Sequence, residues 1–359
     1  MKNRATSLNR IFCLLVLLAT IVRPARASIG LVVGEPFGSF GTILPVGHAA
    51  IYLDHVCADT PTHLRPCHPG ELGVVVSRYH DLRAANLDWM AVPILPFLYG
   101  VDDPTDTPSY LTTSARVDLA ERYRQAHLRD EVPDPLTHNG DPIHPHYGDW
   151  QDAVGAAFDR RLYIYEIDTT PEQDATILAD LNSRLNVRRY HLRRSNCADF
   201  AADLLNTVIP GALHRNVLGD FDFYTPKELA RQLDHYGHTH PEANLRVYEI
   251  PQLPGALRRS RPLRGSSEVF VKTKRYLATL IVIQPEAILA DWIFYETKDK
   301  WTPGRDATLV NPADWSAVQT NATPPINSIA SVRLPLNSYF SSASTFSSTT
   351  SDAKGFLAK

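Results

Sequence analysis

A surplus of basic residues is missing from this chain. Lys and Arg number 36 against 39 Asp and Glu, a formal net charge of −3. A protein that grips nucleic acid through its phosphates needs a cationic surface, so the balance argues against general nucleic-acid binding. Internal repeats are also missing, and uninterrupted apolar runs are few. The clearest, Ile11 to Val22, follows Lys2, Arg4 and Arg10 and precedes the small-residue site Ala25-Arg26-Ala27. That order predicts an export signal, residues 1–27, cleaved before Ser28, and hence a secreted or periplasmic protein. Its removal leaves 31 basic against 39 acidic side chains, a net charge of −8. A second apolar stretch, Tyr276 to Tyr295, holds Gln284, Pro285, Glu286 and Asp291. Two carboxylates and a proline argue against a membrane span. A buried or surface-packed element is expected there, with peripheral membrane contact through 276–295 as the minority alternative.

Cysteine is scarce, with four in the whole chain. Cys13 lies inside the apolar run and would leave with the signal, and no cysteine follows closely enough to carry a lipid anchor. Cys57 and Cys67 stand ten apart in a Pro- and His-rich loop, which in an exported chain most simply means a disulfide. Cys197 is then the odd thiol. In an oxidising compartment a lone reduced cysteine is a liability unless it is buried or used.

An apolar content of 44% over 359 residues suffices for one large core or two ordinary ones. Short β-prone runs at Ile29 to Val33 and Ala49 to Leu53 read as strands, the second beginning near His48. Gly73 to Tyr79 should pair with it as an antiparallel hairpin across the long disulfide loop. Ala85 to Leu98 predicts a helix broken at Pro93. Leu111-Thr112-Thr113 predicts a cap for a helix from Arg116 to Leu128 with alternating charge on a solvated face. Pro133 to Trp150 reads as a polar loop. Arg161 to Ile167 is a strand by alternation. Thr170-Pro171-Glu172-Gln173 and Thr225-Pro226-Lys227-Glu228 are capping boxes with proline at the first helical position. Arg188 to Leu192 predicts a short strand or turn. Pro251, Pro254 and the basic stretch Arg258 to Arg264 read as a linker, so a core of 28–249 is expected to carry an insertion at about 83–160. An extension of unassigned role follows at 250–340. The Ser/Thr-rich tail, 341–359, should be disordered.

Ser195 to Asn206 is the stretch around which the chemistry gathers. Ala198, Ala201, Ala202, Leu204 and Leu205 favour a helix, and Phe200, Ala201, Leu204 and Leu205 give it a buried stripe. Asp199 suits the positive end of the backbone dipole, and Pro210-Gly211 closes the segment. Cys197 opens this helix, where unpaired N–H groups favour a thiolate and lower its pKa. The alternative is a small core residue. A thiol nucleophile needs a base, and the base needs a group to hold its tautomer. Fourteen histidines are present. His48, directly after Gly47 at a strand start, can point across to a helix N-terminus.

Gly47-His48-Ala49-Ala50-Ile51-Tyr52, then a second strand, a long gap and Asn196-Cys197-Ala198-Asp199-Phe200, resembles the circularly permuted branch of the NlpC-type papain-like superfamily. That branch includes the lecithin:retinol acyltransferase-like proteins. The resemblance implies an α+β fold with a permuted papain-like core, an antiparallel sheet packed on the cysteine-bearing helix. It also implies Cys197 as nucleophile and His48 as base. The family's third residue, often histidine, sits on the strand after the base. Here that strand offers Ser77, which could orient the imidazole or be a satisfied strand hydroxyl. Tyr190 could sit near the oxyanion or be a packing residue, and the Cys197 N–H is the more generic oxyanion donor. The implied chemistry is acyl transfer from an amide or ester, with a peptidoglycan peptide as first substrate and a lipid acyl group second. A non-catalytic envelope module on the same fold is the alternative from another class.

No cofactor and no metal are expected. His138, Asp141, His144, His146 and Asp149 fit no standard ligand spacing, so a polar loop is favoured over a metal site. His235, His238 and His240 read as helix-terminal cations. Asp199 and Asp203 read as dipole partners and solvated carboxylates, not as an acid–base pair.

Overall fold

Strand β1, Ala27–Gly34, lies inside a sheet because, apart from Ser28, the residues on both its faces are apolar or glycine. The computed structural model describes residues 27–38, 46–80, 82, 86–134, 136–140, 149–272 and 300–315, with 286, 289, 292, 293, 295 and 296. The expected signal up to residue 26, most of 276–295, His144, His146, Asp141 and the 341–359 tail fall outside them.

Strands β2 (His48–Leu53), β5 (Val74–Arg78) and β6 (Trp89–Pro93) extend the sheet on one side of β1, and β7 (Leu162–Thr169) and β8 (Arg246–Ile250) on the other. The short β9 (Thr308–Leu309) completes the order β6-β5-β2-β1-β7-β8-β9. All pairs are antiparallel except β8 with β9. The α+β class is therefore observed, with a large antiparallel sheet and a cysteine-bearing helix packed on it. The β2–β5 hairpin is antiparallel as expected. Its long connection is itself a two-stranded ribbon, β3 (Val56–Thr60) with β4 (His63–Pro66), and the Cys57–Cys67 disulfide closes it.

Helices cover both sheet faces. Ile29, Leu31, Val33, Ala49, Ile51 and Leu53 pack in one apolar cluster with α4 (Pro171–Ser183), α5 (Cys197–Val208) and α6 (Pro226–Thr239). Val32, Ala50, Tyr52, Val75 and Ile164 pack with α1 (Ile94–Tyr99), α2 (Thr113–His127) and α3 (Ala156–Asp159) in another. Two covered faces explain why the strands read as continuous apolar runs instead of alternating ones. Fully burying a side chain such as Phe200 or Leu204 contributes about 1.5–3 kcal/mol, so α5 is fastened along its length.

The caps behave as their residues dictate. Thr170 and Gln173 form the complete reciprocal box at α4. At α6 only half forms: Thr225 Oγ1 accepts from Glu228 N at 3.2 Å, while Glu228 turns to Arg231 and Gln232. Two expectations are corrected. Residues 85–98 do not make one broken helix, because Trp89 to Pro93 pairs with β5 as the edge strand β6, where a terminal proline is tolerated. Only Ile94–Tyr99 is helical. The charges of α2 are not all solvated: Arg116 is held by both carboxylate oxygens of Asp159 at 3.0 and 2.6 Å. Arg124 is fully buried and donates to Glu121, Asp134 and the Val132 carbonyl. Of the two forms expected for Arg188 to Leu192 the chain takes the turn, residues 192–194, closed by a bridge between His191 and Ser195. Asn186 anchors the start of that loop, accepting from the Asp88 and Trp89 N–H groups at 2.9 Å each.

Candidate active site

Cys197 begins α5 because Asn196 ends the extended approach to it. Asn196 Oδ1 accepts from Ala198 N at 2.8 Å and Asp199 N at 2.9 Å, and Asp199 Oδ2 returns to Asn196 N at 2.9 Å. This reciprocal cap captures two helix-start amides. Arg215 pairs with the remaining Asp199 oxygen. Asp199 is thus a buried scaffold residue, whereas Asp203 is exposed, and the two do not form an acid–base pair.

The loop before Cys197 is tied to the sheet by Arg78. Its guanidinium donates to Asp88 at 2.5 Å and to Ser195 Oγ at 3.1 Å, and lies 4.9 Å above the Phe200 ring. All five residues of β5 are buried, so an arginine there requires such partners. That requirement becomes visible only once both sheet faces are known to be covered.

His48 is the first residue of β2, after Gly47 at φ +81°. The glycine is required: a Cβ there would lie 2.3 Å from the Gly34 carbonyl oxygen. Nε2 of His48 lies 2.6 Å from Ser77 Oγ, and the ring stacks on Tyr79 with centroids 4.7 Å apart. Ser77 is buried at 2% exposure, and its hydroxyl also donates to the Ala49 carbonyl at 3.5 Å. The β2–β5 ladder runs from Leu53–Val74 only as far as Ile51–Val76. The pairing ends there, and the Ala49 amide, one residue from His48, acts to lower the pKa of the Cys197 thiol. Ala49 faces α5, whereas His48 takes Ser77 and Tyr79 from the neighbouring strand. No hydrogen bond joins sulfur and ring among the described residues.

The electrostatics correct one expectation. Burial pushes the Cys197 thiol above its ordinary range, and the amides of Ala49, Ala198 and Cys197 with the Arg160 cation only partly offset it. The helix start therefore does not produce a resting thiolate. Burial, then the Arg160 charge, holds the His48 imidazole well below its usual value, so it is neutral at pH 7. The resting pair is a thiol and a neutral imidazole.

Tyr190 is half-buried, with its ring edge-on to His80 at 5.1 Å. Its hydroxyl pKa is raised by burial and next by Cys197, which puts it within electrostatic reach of the sulfur. Cys197 is the free cysteine, and Cys57 and Cys67 are bridged. The grouping of Cys57, Cys67 and Glu71 is no metal site, since the disulfide takes up both sulfurs. His238 and His240 turn Nδ1 to carbonyls of their own helix, Asp234 and Tyr236.

Two residues with no role in the sequence reading surround this site, Arg78 and Arg160. Arg160 precedes β7 and is 4% exposed. Nothing in periodicity or spacing distinguishes it from its neighbour Arg161.

No family model and no curated protein sequence matches the chain. Among solved structures, it is similar to the crystal structure of the type VI secretion system effector TseH. The match has 12% identity and covers 64% of this chain and 95% of that one, with a TM-score of 0.30. A similarity of that size carries no argument about site or activity.

Proposed function

We propose that this protein is an exported thiol hydrolase that cleaves an amide bond through an acyl-enzyme, with Cys197 as nucleophile and His48 as base. The observation that carries the reading is the His48–Ser77 contact at 2.6 Å, at the strand end whose next amide influences the titration of the free thiol. Nε2–H donates to Ser77 Oγ, which leaves the Nδ1 lone pair as the proton acceptor. His48 takes the thiol proton as sulfur attacks the carbonyl carbon. The S–C bond forms, and the oxyanion draws on the Cys197 N–H. Collapse breaks the C–N bond, and His48 returns its proton to the leaving amine. Water, deprotonated by His48, then cleaves the thioester and releases the acid. We assign Tyr190, whose hydroxyl responds electrostatically to the sulfur, as a second donor to the oxyanion.

The substrate class we favour is a cell-wall peptide. The disulfide supports maturation in an oxidising compartment. A lipid acyl group is the second substrate. The test is incubation of the mature protein with peptidoglycan fragments and, separately, phospholipid vesicles, followed by mass spectrometry. New amino termini from the fragments, absent with Cys197→Ala, are expected. Released fatty acid with intact peptides would move the activity to lipids, and no product with either would contradict the hydrolase reading. A second reading, a binding module without catalysis, is favoured by one observation, the buried and protonated thiol.

A further inference from the structure

Arg160 is a buried cation whose guanidinium is poorly satisfied by hydrogen bonds. Its exposure is 4%, yet no carboxylate lies within ion-pair distance among the described residues. The adjacent Asp159 is unavailable, because both its oxygens are taken by Arg116. Asp152 acts on it electrostatically, and with its carboxyl pushed up to about 6 by burial it is still largely ionised at pH 7, but it reaches Arg160 by hydrogen bond only through its main-chain carbonyl. What Arg160 has is one long bond, Nη2 to the Asp152 carbonyl at 3.3 Å, and a stack on the Phe37 ring at 4.7 Å. Its Nε–H is buried with no acceptor. A guanidinium carries five donors, and burying it so poorly satisfied is costly.

Position makes this shortfall meaningful. Gly34 pairs directly with His48 across β1 and β2. A Cβ on Gly34 would lie 2.8 Å from Arg160 Cδ and 3.1 Å from its Nε. The arginine side chain therefore runs through the slot that Gly34 leaves open beside the imidazole, and its charge reaches both His48 and Cys197. A planar fork with an unsatisfied Nε–H and one long Nη2 bond, stacked on an aromatic ring, suits a planar anion, and we take that anion to be a carboxylate.

We infer that Arg160 receives a substrate carboxylate placed within a few bonds of the carbonyl that Cys197 attacks. The inference rests on the thiol-hydrolase reading and narrows its substrate to anionic amides. Binding would neutralise the cation that opposes protonation of His48, so an anionic substrate would also strengthen the base that acts on it.

The experiment compares two alkylating agents on the whole protein, iodoacetate, which carries a carboxylate beside the reacting carbon, and neutral iodoacetamide. The ratio of their rates at Cys197 should exceed that of a free thiol. That ratio cancels any common effect of the lost charge on the thiol and the imidazole, and it should fall about tenfold in Arg160→Met and by less in Arg160→Lys. Equal ratios in wild type and Arg160→Met would overturn the inference while leaving the nucleophile in place. A thiol inert to both reagents would instead contradict the hydrolase reading. In that case the Arg160 Nε–H resonance, titrated with glutarate in the wild-type protein, decides separately: a saturable shift supports the site and none overturns it.

Discussion

At the scale of single residues, Ser77 is the sharpest point. Ser77 offers one short hydrogen bond to His48 and no charge. Ser77→Ala should lower the alkylation rate of Cys197, and kcat/KM on any substrate found, by about tenfold. This corresponds to about 1.4 kcal/mol, close to the net worth of one hydrogen bond. Ser77→Thr should recover most of the loss. The protonation states give a second expectation. The thiol sits above its ordinary range, so the reaction rate with iodoacetamide should rise through pH 8 and beyond, without a plateau near neutrality. His48 carries a linked stability effect. Its folded pKa is depressed, so below about 6.5 the unfolded chain binds a proton that the folded chain refuses. Its contribution is thus fully present above that pH and is lost as the solution is acidified toward the folded value. In urea melts His48→Gln should flatten that decline.

At the scale of elements, the site is held by charges on buried surfaces. Arg78 ties the loop before α5 to β5 and β6, and Asn196 with Asp199 sets where α5 begins. On the opposite face Arg116 and Asp159 lock α2 to α3, just before the chain delivers Arg160. Removing one member of a buried pair leaves the other uncompensated. Arg116→Met should therefore destabilise the protein by about 3–5 kcal/mol, read as a shift of the denaturation midpoint. Replacing both members by apolar residues of similar volume should cost far less. Recovery in the double variant would show that the pair contributes through mutual satisfaction, and equal loss would contradict it.

At the scale of the whole molecule, the disulfide ribbon and the layered sheet frame the site. Reducing Cys57–Cys67 opens a loop ten residues apart in sequence and should cost about 3 kcal/mol by the chain-entropy argument. Cys197 alkylation should change little, because the ribbon lies beyond the paired end of β2 and β5. Much of this arrangement was legible in the residues. His48 and Cys197 stand at a strand start and a helix start, and the thiol count left Cys197 free, because caps, glycine and cysteine pairing are local signals. Arg78, Arg116 and Arg160 were not legible as buried groups. Their burial depends on which faces two separate helical layers cover, and no local pattern encodes that. Strand β6 was misread for the same reason: an apolar run next to proline takes its form from the strand it pairs with. The measurement that tests the central claim most directly is the pH profile of Cys197 alkylation by iodoacetamide in wild type and His48→Ala, both checked for folding by near-UV circular dichroism. The account predicts that His48→Ala slows the reaction at least tenfold between pH 6 and 8, with the two curves converging at high pH. Superimposable profiles would contradict it.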